Sequence, residues 1–246
     1  MNIVALTLLH FKTLAIQLRR SPSYLIPTLG FPAMFFAFFG VANARTPEIA
    51  NAMMFAYVAF AIVGITLFQF GVGIANERAE PWERFVRTLP APVAVRFAGR
   101  ILCALLFGAI AAALVVVTAI TLTPVHLSAQ AWVLLPIYAI MGGVPFVLFG
   151  IAIGYWSNAR AALPIANVFY LVLSFAGGLW IPPAYLPHIV RVISPYLPTR
   201  QFFELLWGIG RSANPAHDLL PLAAYAALFG LIAAVGYRRD EKVRYR

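Results

Sequence analysis

Residues 101–159 read ILCALLFGAIAAALVVVTAITLTPVHLSAQAWVLLPIYAIMGGVPFVLFGIAIGYWSNA, without a single Asp, Glu, Lys or Arg. A helix needs about 20 residues to cross a hydrocarbon core of about 30 Å, so the run is long enough for two crossings. The polar, proline-containing stretch Thr121–Gln130 divides it where a turn between them would fall. Ala109–Val117 shows no alternation of apolar and polar side chains, which argues against the strand pattern of a membrane barrel. Helices remain, because a backbone in lipid must satisfy its own hydrogen bonds.

The same absence of charge recurs between Pro22 and Ala44, Ile49 and Asn76, Ala161 and Val190, and Leu219 and Tyr237. Each of these gaps holds one crossing. The expected fold is an all-α integral membrane protein, with six transmembrane helices near residues 23–42, 51–75, 99–121, 131–155, 162–182 and 218–237. Composition agrees: 62% of residues are hydrophobic and 11% charged, against about 25% charged in soluble domains. Cys103, the single cysteine, lies in an apolar run and reads as a small buried hydrophobe. The first span begins behind a basic segment with no small-residue cleavage site after it, so no removable signal is expected.

An even number of spans puts both termini on one side, together with the connections 76–98 and 156–161. That side carries Lys12, Arg19, Arg20, Arg78, Arg84, Arg87, Arg96, Arg100, Arg160, Arg238, Arg239, Lys242, Arg244 and Arg246. The other side has only Arg45, Arg191, Arg200 and Arg211. Basic residues concentrate in cytoplasmic loops, so both termini are expected in the cytoplasm. Basic flanks beside an anionic inner leaflet also account for the net charge of +10, with no nucleic-acid partner needed.

The first 22 residues are expected to form an interfacial helix. Thr7, His10, Thr13, Gln17 and Arg20 recur at helical steps among Ile3, Val4, Leu8, Phe11, Leu14, Ala15 and Leu18. His10 reads as a polar-face residue.

Residues 73–100, GIANERAEPWERFVRTLPAPVAVRFAGR, crowd Glu77, Arg78, Glu80, Glu83, Arg84 and Arg87 into eleven positions of a charge-poor chain. Glu80 and Arg84, and Glu83 and Arg87, are four apart with the acid first, the better order on a helix. Pro81 suits a first turn. Trp82, Phe85, Val86 and Leu89 give an apolar face, and Pro90 and Pro92 stop the helix. A short amphipathic helix on the cytoplasmic side follows. Two uses stand open for it: lying on the headgroups with Trp82 as an anchor, or docking a soluble partner. The mixture of acids and bases favours docking, since an anionic membrane selects bases alone.

On the other side, residues 176–207, AGGLWIPPAYLPHIVRVISPYLPTRQFFELLW, are broken by Gly177, Gly178, Pro182, Pro183, Pro187, Pro195 and Pro198. The pieces Leu186–Ile193 and Arg200–Trp207 are too apolar for a free loop and too short to cross, so they read as interfacial or re-entrant helices of the outer 183–217 region. It either gates a path or seals the bundle. Trp180, Tyr185, Tyr196 and Trp207 suit an outer aromatic belt.

Deep ionisable groups, the usual mark of a proton or ion path, are missing from the spans. Gln69 and Asn167 read as hydrogen-bonding links between helices, with solute binding as the alternative. Gly150 and Gly154 have the small-xxx-small spacing of close helix contact. The chain has no HExxH, no GxSxG and no GxxxxGK[ST] phosphate loop, and its histidines, His10, His126, His188 and His217, are scattered. An enzyme is therefore not expected, nor any cofactor bound by this chain.

Taken together, the chain resembles the membrane-spanning permease subunit of an ABC-2 type transporter, over nearly its whole length. GIANERAEPWERFVRTLPAP, at 73–92, resembles the family's glycine at the end of the second helix, Glu-Arg pair, charged turn and Thr-x-Pro. The run from Leu186-Pro187 to Pro195, then Arg200 and Glu204, resembles its re-entrant hairpin. Pro81 departs from the glycine common there, which bears on how the element moves.

The resemblance implies a single transmembrane domain over 1–246 in a bacterial or archaeal inner membrane. Glu77, Arg78, Glu80, Trp82, Glu83, Arg84 and Arg87 would then dock an ATPase in the coupling loop 76–98. Gly177, Gly178, Pro182, Pro183, Pro187, Pro195, Arg200 and Glu204 would form an outer gate. The implied partners are two copies of a separate ABC ATPase, which uses the ATP and Mg, and a second permease, identical (a homodimer) or a relative. The cargo would be a drug, lipid or lipid-linked glycan moved outward. An ion-coupled carrier or channel, or a six-span protein-translocase scaffold, is the alternative.

Overall fold

The computed structural model describes residues 3–81, 93–182, 185–211 and 214–244. Among these, the helices are α1 (Ile3–Arg19), α2 (22–43), α3 (Pro47–Ala79), α4 (Val93–Leu122), α5 (Ala129–Trp156), α6 (Ala159–Ala176), α7 (His188–Ile193), α8 (Pro198–Arg211) and α9 (Ala216–Arg244). Six of them, α2, α3, α4, α5, α6 and α9, are long and apolar enough to cross a membrane. They follow the expected order. The fifth stops six residues early, at Ala176, and the helix of the sixth runs on to Arg244.

Side-chain chemistry explains where these helices begin. The Thr46 hydroxyl accepts from the Ile49 N–H at 3.4 Å, with Pro47 in the first turn. Ser128 Oγ accepts from Ala131 N at 3.2 Å, and Asn158 Oδ1 from Ala161 N at 2.9 Å. Each satisfies one N–H that the new helix cannot pair internally. The end of α6 is equally explicit. Gly178 takes a φ of 77°, Leu179 N–H donates to the Ser174 carbonyl at 2.9 Å, and Gly178 N–H to that of Phe175 at 3.0 Å. This left-handed glycine cap sits at the Gly177–Gly178 break expected from the sequence.

The central helix is α3. In its most apolar window 78% of residues are buried, against 17–39% in the other spans. It packs with α2 and α4 on one side and with α5 and α6 on the other, while α9 lies along α5. Glycines set the closest of these contacts. A Cβ placed on Gly150 would lie 2.8 Å from the Thr66 carbonyl oxygen, and one on Gly154 would lie 2.9 Å from that of Phe70. The small-xxx-small pair therefore brings α5 against α3. That contact falls on a π-helical turn of α3 at Leu67–Val72; a second such turn, Phe36–Gly40, lies in α2. Outward faces are apolar, as at Phe38, Val117, Val168 and Leu231, all more than half exposed.

His10 lies half-buried over Gly99, because α1 packs along α4 and the missing Cβ leaves room for the ring. Trp180 and Trp207 are half-buried, whereas Tyr185 and Tyr196 are exposed. Trp180 stands edge-on to Phe60 at 5.7 Å, and Trp207 stacks on Phe203 at 5.4 Å, because both rings have aromatic partners inside the bundle.

Candidate functional site

The second span runs one turn past its expected end, and Glu77 and Arg78 lie in the last turn of α3. Glu80 then leaves helical geometry with a ψ of 134°. Adjacent on a helix, Glu77 and Arg78 point about 100° apart, and their partners lie on opposite flanks.

Glu77 pairs with Arg100 of α4. Arg100 is 5% exposed, and its Nη1 donates to the Gln69 carbonyl at 2.7 Å, within the π-helical turn. A Cβ on Gly73 would sit 2.5 Å from Arg100 Nη1, so only glycine leaves space for the guanidinium to cross α3. The link from Gln69 to a neighbouring span thus runs through its backbone carbonyl.

Arg78 turns the other way. Its Nε and Nη2 donate to Asp240 Oδ1 of α9 at 3.1 and 2.6 Å. Its Nη1 reaches the carbonyls of Gly154, Tyr155 and Ser157 at 2.6, 3.3 and 3.2 Å. The last carbonyls of a helix lack internal partners and carry partial negative charge, so the cation caps α5 while it pairs with α9. The Tyr155 ring lies 5.4 Å from the Arg78 guanidinium carbon and edge-on to Tyr237 at the same distance. Nearby, Trp156 Nε1 donates to the Ile232 carbonyl at 3.0 Å.

Two consecutive charges at the root of the 82–92 segment therefore hold α4 on one flank and α5 with α9 on the other. Among the described residues, the buried charged groups are Arg100, Asp218 and Asp240, each within about two turns of a helix end. Trp82, Glu83, Arg84 and Arg87 lie outside the described residues. Sequence reading counts Arg100 only as a base on the basic side and passes over Asp240. Asp240 stands with Glu241 as the acids in an otherwise basic tail, RRDEKVRYR, a signal that something there needs a counter-charge.

At the opposite end, Thr199 Oγ1 donates to the Leu173 carbonyl at 2.6 Å, joining α8 to the end of α6 beside Gly177. Arg200 pairs with Glu204 on α8. Phe202 packs over Gly142 and lies 5.8 Å from Phe146; Gly142 is roughly 20 Å along α5 from its first residue. Pro187 precedes α7, Pro195 lies in the turn after it and Pro182 follows the end of α6, while Pro183 falls outside the described residues. Of the proposed outer set, the structure brings Arg200 to Glu204 and Gly177 to the start of α8.

A groove of about 760 Å³ lies between α4 and α5 with α3 as its floor, hollowed by Ala104, Gly108, Ala112 and Gly143. Thr66 in its lining donates its hydroxyl to the Ile62 carbonyl at 2.9 Å, which leaves mainly hydrocarbon for contact. Among the described residues no group of His, Cys, Asp and Glu is placed to hold a metal.

The sequence pattern of the ABC-2 type transporter family matches residues 6–209 of this chain. The chain belongs to the ABC-2 type transporter family. Across 230 residues it is 25% identical to YvfS of Bacillus subtilis (strain 168), a transport permease by name, with 91% of this chain and 94% of that one covered. It is a multi-pass membrane permease of the ABC-2 type, and permeases of this family pair with an ABC ATPase subunit.

Proposed function

We propose that this chain is the permease half of an ATP-driven exporter, moving an apolar or amphipathic cargo such as a drug, lipid or lipid-linked glycan out of the cytoplasm. Two copies would surround the path, with two separate ATPase chains beneath them. The observation that carries this reading is the charged root of the 77–87 segment. In a chain whose charges keep to the span ends, Glu77 and Arg78 tie that segment to α4, α5 and α9. A push on the segment would reach three neighbouring spans. The excess of basic residues at the same end supports a cytoplasmic position for it and for both termini.

In this reading Glu80, Trp82, Glu83, Arg84 and Arg87 meet the ATPase, and Glu77 and Arg78 anchor the element to the spans. The hairpin of α7 and α8 serves as the outer gate. Gly177, Gly178, Pro182, Pro183, Pro187 and Pro195 shape its hinges, and the Arg200–Glu204 pair stiffens α8. Charge reversal at Glu80 or Arg84 tests the docking. The altered permease is expected to insert normally while losing ATP-driven transport and stimulation of the ATPase. Wild-type values for both would exclude docking at this segment.

A further inference from the structure

We infer that Arg78 and Asp240 form a latch that makes the end of α9 part of the coupling machinery, so that motion entering at 77–87 moves α3, α5 and α9 as one block. This rests on the proposed role of that segment and names residues that pass its motion on.

The geometry separates this contact from an ordinary surface ion pair. Asp240 is 7% exposed, and the Arg78 side chain 19%. Exposed pairs are weak and easily exchanged for water, whereas a pair this covered leaves an uncompensated charge if one partner goes. Two nitrogens of Arg78 converge on a single oxygen of Asp240, and the third faces the end of α5. The guanidinium is thus shared among three helices, with little freedom to follow one and leave the others.

The surroundings point the same way. Gly154 lets α5 close on α3, with its own Cβ position 2.8 Å from Ile74 Cβ. Gly236 admits the Trp156 indole, and Arg239 lies 5.3 Å over that ring. Rigid packing of this kind transmits displacement because it has few alternative arrangements. The Glu77–Arg100 pair differs: Glu77 is 43% exposed, so this ion pair is the more open to water of the two.

Asp240→Asn, which keeps shape and removes charge, is the direct test, made in the complex with the ATPase reconstituted in vesicles. Transport per ATP hydrolysed is expected to fall about tenfold, with the ATPase still bound and still hydrolysing ATP. Arg78→Lys is expected to do the same, because a point charge cannot serve Asp240 and the α5 carbonyls at once. Spin labels on the 80s segment and on α9 supply a readout that simple destabilisation does not move. Their separation is expected to stay constant through the ATP cycle in wild type and to vary in Asp240→Asn.

An unchanged transport-to-ATP ratio in Asp240→Asn, or a wild-type separation that changes during the cycle, would overturn the latch. Failure of the underlying proposal looks different: the wild-type complex itself would show no ATP-dependent transport.

Discussion

Replacing Glu77 by Gln should cost more than replacing Glu77 and Arg100 together. Arg100 is 5% exposed and has two anchors, the Glu77 carboxylate and the Gln69 carbonyl. Stripping the partner from a fully buried charge costs roughly 3–5 kcal/mol. Glu77 is 43% exposed, so water offsets part of that loss, and about 2 kcal/mol is expected for Glu77→Gln. Adding Arg100→Met removes the stranded cation and fills the space with a flexible apolar chain. The Gln69 carbonyl then loses its donor at a cost of about 1 kcal/mol, and the double variant should sit nearer to wild type than Glu77→Gln alone. The assay is denaturant or thermal unfolding of the purified protein in mild detergent, run for both single variants and the double. A double variant as unstable as the two single losses added together would refute the reasoning, because it would mean that the two side chains do not share one electrostatic interaction.

Gly154→Val should loosen the α3–α5 contact, since its Cβ would enter the space held by Ile74 and the Phe70 carbonyl; a loss of about 2–3 kcal/mol in the same assay is expected. Gly178→Ala forces a side chain into a φ of 77°, and about 1–2 kcal/mol should be lost in the same assay. Thr199→Val removes the donor to the Leu173 carbonyl, which should cost about 1 kcal/mol and release the start of α8, read as faster exchange of its amide hydrogens with solvent.

The six crossings were legible because lipid imposes a rule that sequence cannot disguise: a span must exclude charge over about 20 residues. Gly177–Gly178 was legible for a related reason, since a left-handed cap demands glycine. Gly150 and Gly154 announced a close contact but not its partner, which depends on the path of α3 in three dimensions. Arg78 shows the limit most clearly. In sequence it belongs with Glu80 and Arg84 in one charged cluster, but α3 continues a turn further, and this places the guanidinium among carbonyls of α5 and the carboxylate of Asp240, 162 residues away. Helix length decided that, and a charge pattern carries no record of it. Trp180 and Trp207 illustrate the same point for aromatic residues, whose composition suits both an interface and a core.

The most direct test is a covalent one. Cys103 is buried, so a Cys103→Ala background carrying Glu80→Cys presents a single reactive thiol. In inverted vesicles holding the permease with its ATPase, a short thiol–amine crosslinker should join position 80 to the ATPase chain, with a yield that changes when ATP binds. Labelling of the same position by an impermeant maleimide added outside intact cells, with no adduct to the ATPase, would contradict the account.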